Sequence, residues 1–155
     1  MLGVQTLAIG NHKGGVAKTT TTATIGAVMA RRGRRVLLID ADPQAGLTRL
    51  LGARYPQGLA DVIGLGAPGV ANTRATMHLA PQLDLVPASR ELAACELAIT
   101  ARVAREGILS RALSLVSDAY DVCLIDCPPS LGLLAVNALA AAAGVIVPTR
   151  AAALD

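Results

Sequence analysis

Gly10-Asn11-His12-Lys13-Gly14-Gly15-Val16-Ala17-Lys18-Thr19-Thr20 is the stretch whose reading decides the fold of this 155-residue chain. Just ahead of it, Thr6-Leu7-Ala8-Ile9 is a short apolar run that predicts a buried strand. Just behind it, residues 19–32 predict a helix with Ile25, Val28 and Met29 on one side. A strand, a glycine-rich turn and a Lys-Thr pair opening a helix form the context of a phosphate-binding loop. Successive backbone N–H groups in such a turn converge on an anion, and the helix N-terminus adds partial positive charge. Gly14 and Gly15 let the backbone approach closely. Lys18 is placed to reach the β- and γ-phosphates of a nucleotide, and the Thr19 hydroxyl to ligate Mg²⁺.

The loop departs from the common pattern GxxxxGK[ST], because His12 and Ala17 stand where glycines are expected. What survives, Lys13 through Thr20, resembles the deviant Walker A loop of the ParA/MinD ATPases. Lys13 and Lys18 are also the only lysines in a chain whose other basic residues are all arginine. Coding bias explains the arginines but not why both ammonium groups fall in this loop. Ala17 leaves one question open: a positive φ there costs on the order of 1 kcal/mol, and a negative one costs nothing.

Two further stretches agree with the loop. Arg35-Val36-Leu37-Leu38-Ile39 is a continuous apolar run, as in a parallel strand covered on both faces, and it ends in Asp40-Ala41-Asp42-Pro43-Gln44. Ligands of doubly wound sheets sit beyond the carboxyl ends of strands, so two carboxylates there are placed for chemistry. Tyr120 to Asp126 is a second apolar run ending in a carboxylate, followed by Cys127-Pro128-Pro129-Ser130. It reads as the strand that sets an aspartate beside the phosphate loop to hold Mg²⁺. Asp-x-Asp-Pro-Gln is similar to the ParA/Soj partition ATPases more than to the MinD branch. The resemblance implies that Asp42 positions the attacking water, that Asp40 supports the Mg²⁺ shell with Thr19 and Asp126, and that Lys13 reaches the nucleotide of an opposing subunit.

The remaining pattern predicts short helices over residues 46–52 and around 58–63, and a turn-rich stretch over 54–69. Strands are expected at 77–79 and 83–86, helices over 89–104 and 106–118, a helix over 131–143 and a strand at 145–148. The expected fold is α/β: a P-loop NTPase with a doubly wound, mostly parallel sheet in one nucleotide-binding domain over residues 1–155. With 53% hydrophobic and only 16% charged residues, a disordered chain is excluded. Tyr55 and Tyr120 are the only aromatics, which argues against a base-stacking nucleic-acid surface.

The net charge of +3 is concentrated in Arg31, Arg32, Arg34 and Arg35 around Gly33, the chemistry of a helix C-terminus. Cys95, Cys123 and Cys127 lack zinc-ligand spacing and suit a reduced, cytoplasmic setting. His78 reads as structural. No signal peptide or membrane span is expected. The resemblance further implies ATP and Mg²⁺ as cofactors, an ATP-dependent homodimer, a ParB-like stimulating partner, nonspecific DNA as a ligand of the full-length family member with its determinants largely missing here, and a nucleoid-associated setting. Family members continue well beyond the point corresponding to Asp155, so the chain is expected to match the family's N-terminal portion. Alternatives are a nucleotide-binding or regulatory module without hydrolysis, and a MinD-like cell-division ATPase.

Overall fold

The computed structural model describes residues 4–53, 57–64 and 75–151. Its sheet runs β3-β4-β2-β5-β1-β6, with β3 antiparallel to β4 and every other pairing parallel. The strands are β1 (Gln5–Ile9), β2 (Val36–Asp40), β3 (Met77–Ala80), β4 (Leu83–Val86), β5 (Val122–Asp126) and β6 (Gly144–Ile146). The helices are α1 (Lys18–Arg31), α2 (Gly46–Leu50), α3 (Leu59–Gly64), α4 (Glu91–Ile99), α5 (Ile108–Ser114) and α6 (Leu133–Ala141).

Both faces of the sheet are covered, which is why its central strands read as unbroken apolar runs. Alternate residues of β2 supply the two cores. Val36 and Leu38 pack with Ile9, Leu124 and the α1 and α2 side. Leu37 and Ile39 pack with Ala8, Ile125 and residues of α3 to α6. Helix α1 lies against the sheet through Thr22, Gly26 and Ala30, while Ile25 and Met29 flank this row and Val28 is exposed. The expected stripe of larger residues is displaced because the approach is close: a Cβ on Gly26 would stand 2.6 Å from Leu38 Cδ2. At the far end of α1, Gly33 takes φ 80°. Its N–H donates to Ala30 O at 2.9 Å, and Arg34 N–H donates to Met29 O at 3.1 Å, the paired bonds of a Schellman stop.

The helices expected over 89–104 and 106–118 are shorter. Ala104 takes φ 53°, a 3₁₀ turn follows at Arg105–Gly107, and the side chains of Arg105 and Arg111 collect the carbonyls of Thr100 and Ala104. Of the turn-rich stretch, residues 57–64 hold α3 and the rest lies outside the described residues. His78 Nδ1 and the Tyr120 hydroxyl lie 2.8 and 2.7 Å from the two oxygens of Asp84, a structural bridge between β3, β4 and the start of β5.

Candidate functional site

The strand order determines which residues meet. Helix α1 carries the chain from β1 past β5 to β2, so the carboxyl ends of β2, β5 and β1 lie side by side. In register, Asp126 faces Ile9 on one side and Asp40 on the other. The phosphate-loop candidates Gly14 to Thr19 line a cleft of about 330 Å³ together with Asp42 and Pro129. Three stretches far apart in sequence thus converge on one opening.

Within the loop, Gly15 takes φ 70° and Ala17 φ 67°. Apart from chain neighbours, no heavy atom stands within 4 Å of where a Cβ on Gly14 or Gly15 would be, so the turn faces open space. Ala17 is the N-cap of α1 and adopts the left-handed conformation that a glycine would take freely, at a cost of about 1 kcal/mol. Strain of this kind gathers where a loop must present its backbone to a ligand. Val16 is buried and plugs the loop into the fold. Lys18 Nζ donates to Lys13 O at 3.3 Å, folding the lysine back over the loop. Lys13 N–H donates to Asn11 Oδ1 at 2.9 Å, and Asn11 Nδ2 in turn donates to Pro148 O at 2.9 Å. Lys13 and Thr20 are both exposed, Lys13 on the outer rim of the loop.

The acidic residues divide by surroundings. Asp126 is buried, and its Oδ2 accepts from the Thr19 hydroxyl at 2.7 Å. Its Oδ1 is buried without a hydrogen-bond partner. Burial pushes the carboxyl up to about 7; the Thr19 bond and Lys18 pull the other way, while Asp40 and Asp42 add to the rise. Asp40 is also buried, and burial raises its pKa too. Both of its oxygens, however, are engaged: Oδ1 accepts from Asp42 N–H at 3.2 Å, and Oδ2 from Thr48 N–H at 2.8 Å and the Thr48 hydroxyl at 2.7 Å. Grouped by sequence with Thr19 and Asp126 as a metal residue, Asp40 here spends its carboxylate on protein donors. Asp42 is half-buried at the cleft, and its Oδ1 accepts from Gln44 N–H at 2.8 Å, an Asx turn that leads into α2.

Thr48 is the residue that sequence reasoning missed. Its hydroxyl also accepts from Ala88 N–H at 2.9 Å, so it ties α2 to the ends of both β2 and β4. The available signal was a threonine on the inner side of a short helix, eight residues after a strand-end aspartate. Among the described residues no group of three or more His, Cys, Asp or Glu side chains could hold a metal ion alone. No helix among the described residues is long and apolar enough to cross a membrane.

Comparison with known proteins agrees with this fold. The family model of the AAA domain matches residues 4–154. Sporulation initiation inhibitor protein Soj of Bacillus subtilis is 44% identical over 147 residues, covering 93% of this chain and 57% of the relative. Chromosome-partitioning ATPase Soj of Thermus thermophilus is 42% identical over 150 residues, covering 96% and 55%. The solved structure of cobyrinic acid a,c-diamide synthase from Mycobacterium smegmatis, with bound ATP analog and magnesium, superposes with a TM-score of 0.88 at 44% identity. That match covers 94% of this chain and 60% of the other. The chain thus spans about half the length of the curated relatives it matches. Loop, strand order and matched residues lead to one assignment: the chain belongs to the AAA domain family, with the P-loop NTPase fold of its ParA/Soj-type members.

Proposed function

We propose that this chain binds Mg-ATP between the phosphate loop and the ends of β2 and β5, and serves as a slowly hydrolysing, ATP-driven dimerisation switch in chromosome or plasmid partitioning. The observation that carries the reading is Asp126: a buried carboxylate with one oxygen on the Thr19 hydroxyl and the other without a partner, at the foot of a glycine-rich loop. A carboxylate and a hydroxyl fit a small hard cation that takes its remaining ligands from phosphates and water. Bound there, Mg²⁺ neutralises charge that develops on the phosphates.

The chain's own groups then have distinct tasks. Backbone N–H groups of residues 14–19 cradle the phosphates, and Lys18 leaves the Lys13 carbonyl to pair with them. Asp40 supports the Mg²⁺ shell from behind by fixing α2 and the Asp42 turn. Asp42 orients the attacking water. Lys13, on the exposed rim, meets the phosphates of a second copy of the chain; such residues supplied in trans are worth about 10³–10⁵ in rate. A ParB-like stimulating protein and nonspecific DNA complete the proposed partners; the name of the Thermus thermophilus relative, a chromosome-partitioning ATPase, supports the partitioning role.

Titration calorimetry with Mg-ATP, comparing wild type with Lys18→Ala, tests the reading. A loss of about 10- to 100-fold in affinity is expected for one charge-assisted contact. Equal affinities overturn it. Phosphate release by the wild type separates a switch that turns over from a module that only binds.

A further inference from the structure

Helix α6 begins at Gly132, a residue with no side chain to cap it. The missing acceptor comes from α4: Glu96 Oε1 accepts the Leu134 N–H at 3.0 Å. Leu134 occupies the second position of the helix, where an N-cap side chain would normally bond. A carboxylate there also meets the positive end of the helix.

Gly132 carries an independent mark of the same contact. Its φ of −73° and extended ψ suit any residue, so conformational freedom does not explain a glycine. Space does: a Cβ at this position would lie 2.4 Å from Glu96 Oε1. The glycine is what lets the glutamate reach the helix end.

The contact matters because of what it closes. Between Asp126, at the end of β5, and Gly132 runs the segment Cys127-Pro128-Pro129-Ser130-Leu131. One end is fixed by Asp126 and by Cys127 N–H donating to Ile9 O at 3.0 Å. Pro129 lines the phosphate cleft. The other end is fixed by the Glu96 clamp. We propose that Glu96 is a positioning residue: by capping α6 from α4, it holds residues 127–131, and hence Pro129, at the nucleotide cleft. This rests on the Mg-ATP reading above. It adds that α4, which contributes nothing to the cleft itself, sets the geometry of the cleft's far wall.

The experiment is a double-mutant cycle on this chain with Glu96→Ala, Gly132→Ala and the pair, with Glu96→Gln as the conservative variant. Two quantities are read: amide exchange at Leu134 without nucleotide, and Mg-ATP affinity by calorimetry. Each single variant is expected to speed Leu134 exchange about five-fold, the worth of one cap. Each should also weaken Mg-ATP by up to about five-fold, because binding must re-form the wall. Glu96→Gln keeps an acceptor oxygen and should stay near wild type in both. The pair should be no worse than Glu96→Ala, since the added methyl then meets nothing.

Unchanged Leu134 exchange in Glu96→Ala overturns the clamp. So do losses that multiply in the pair. Faster exchange with unaltered Mg-ATP affinity, in a chain whose wild type binds, overturns the positioning role. A wild type that takes no Mg-ATP overturns the nucleotide reading instead, and the exchange arms still decide the clamp.

Discussion

Asp40 and Asp126 end neighbouring parallel strands, pair in register and are both buried, yet their surroundings are opposite. Three protein donors converge on Asp40, two of them from Thr48 at the start of α2. One donor reaches Asp126, from Thr19 at the start of α1, and one oxygen is left without a partner. A buried carboxylate with every oxygen engaged is a brace, stable as it stands. A buried carboxylate left half-engaged costs stability and is tolerated where a ligand completes it. The difference separates the residue that holds the site together from the one that awaits its contents.

The largest expected effect tests the waiting side. Asp126→Asn keeps the shape and an acceptor for Thr19 but removes the charge a cation would meet. It should lower Mg²⁺-dependent ATP affinity by about 10- to 100-fold. The urea midpoint without nucleotide should stay level or rise, because an uncompensated buried charge is gone. A marked fall in stability, with Mg²⁺ dependence intact, would make Asp126 a second brace and end the contrast.

Asp40→Ala should do the reverse. It strands the Thr48 N–H and hydroxyl and the Asp42 N–H, at a cost of roughly 3 kcal/mol. Chemical unfolding reads this directly. A variant as stable as wild type would show that the bonds to Thr48 hold nothing.

The helix starts at each aspartate offer a finer comparison. Ala17 caps α1 at φ 67° and Ala45 caps α2 at φ 53°. Ala17→Gly and Ala45→Gly should each relieve left-handed strain by up to about 1 kcal/mol, less what glycine gains in the unfolded chain. If the strain at Ala17 serves the phosphate loop, only Ala17→Gly should also change Mg-ATP affinity. Equal effects on affinity would mean that the two turns bear on the nucleotide alike.

The local parts of this picture were legible in sequence. A strand, a glycine turn and a helix are neighbours along the chain, and so the loop of residues 10–20 could be read from spacing. The two strand-end aspartates were equally visible and, for that reason, were grouped together. What divides them is not local. Thr48 lies eight residues beyond Asp40 on a short helix, and Thr19 lies 107 residues from Asp126. The conformation of Ala17 was undecidable from spacing, since a residue entering a helix takes either sign of φ and the sequence pattern does not distinguish them. Glu96 carried no signal at all, because its partner helix begins with a glycine whose purpose is spatial.

One more aspartate stands at the entrance to β5, and it supplies the smallest effect. Asp121 stands just before the strand that Asp126 ends, in a half-buried position. Its oxygens accept from Arg35 N–H at 2.8 Å and from the Arg35 guanidinium at 2.7 Å. Those bonds hold its carboxyl down to about 2, whereas burial holds Asp126, at the other end of β5, up to about 7. The sign for Asp121 is the ordinary one: a folded pKa below the unfolded value of about 3.9 gives stability that is complete above that value. It is lost as the pH falls from about 4 toward 2. Arg35 is exposed and Asp121 only half-buried, so solvent screening keeps the contribution small. Arg35→Ala should therefore flatten the acid limb of the urea midpoint between about pH 4 and 2 and leave the neutral limb nearly level. An acid limb of unchanged slope would show that the Arg35 pair does not set the Asp121 titration.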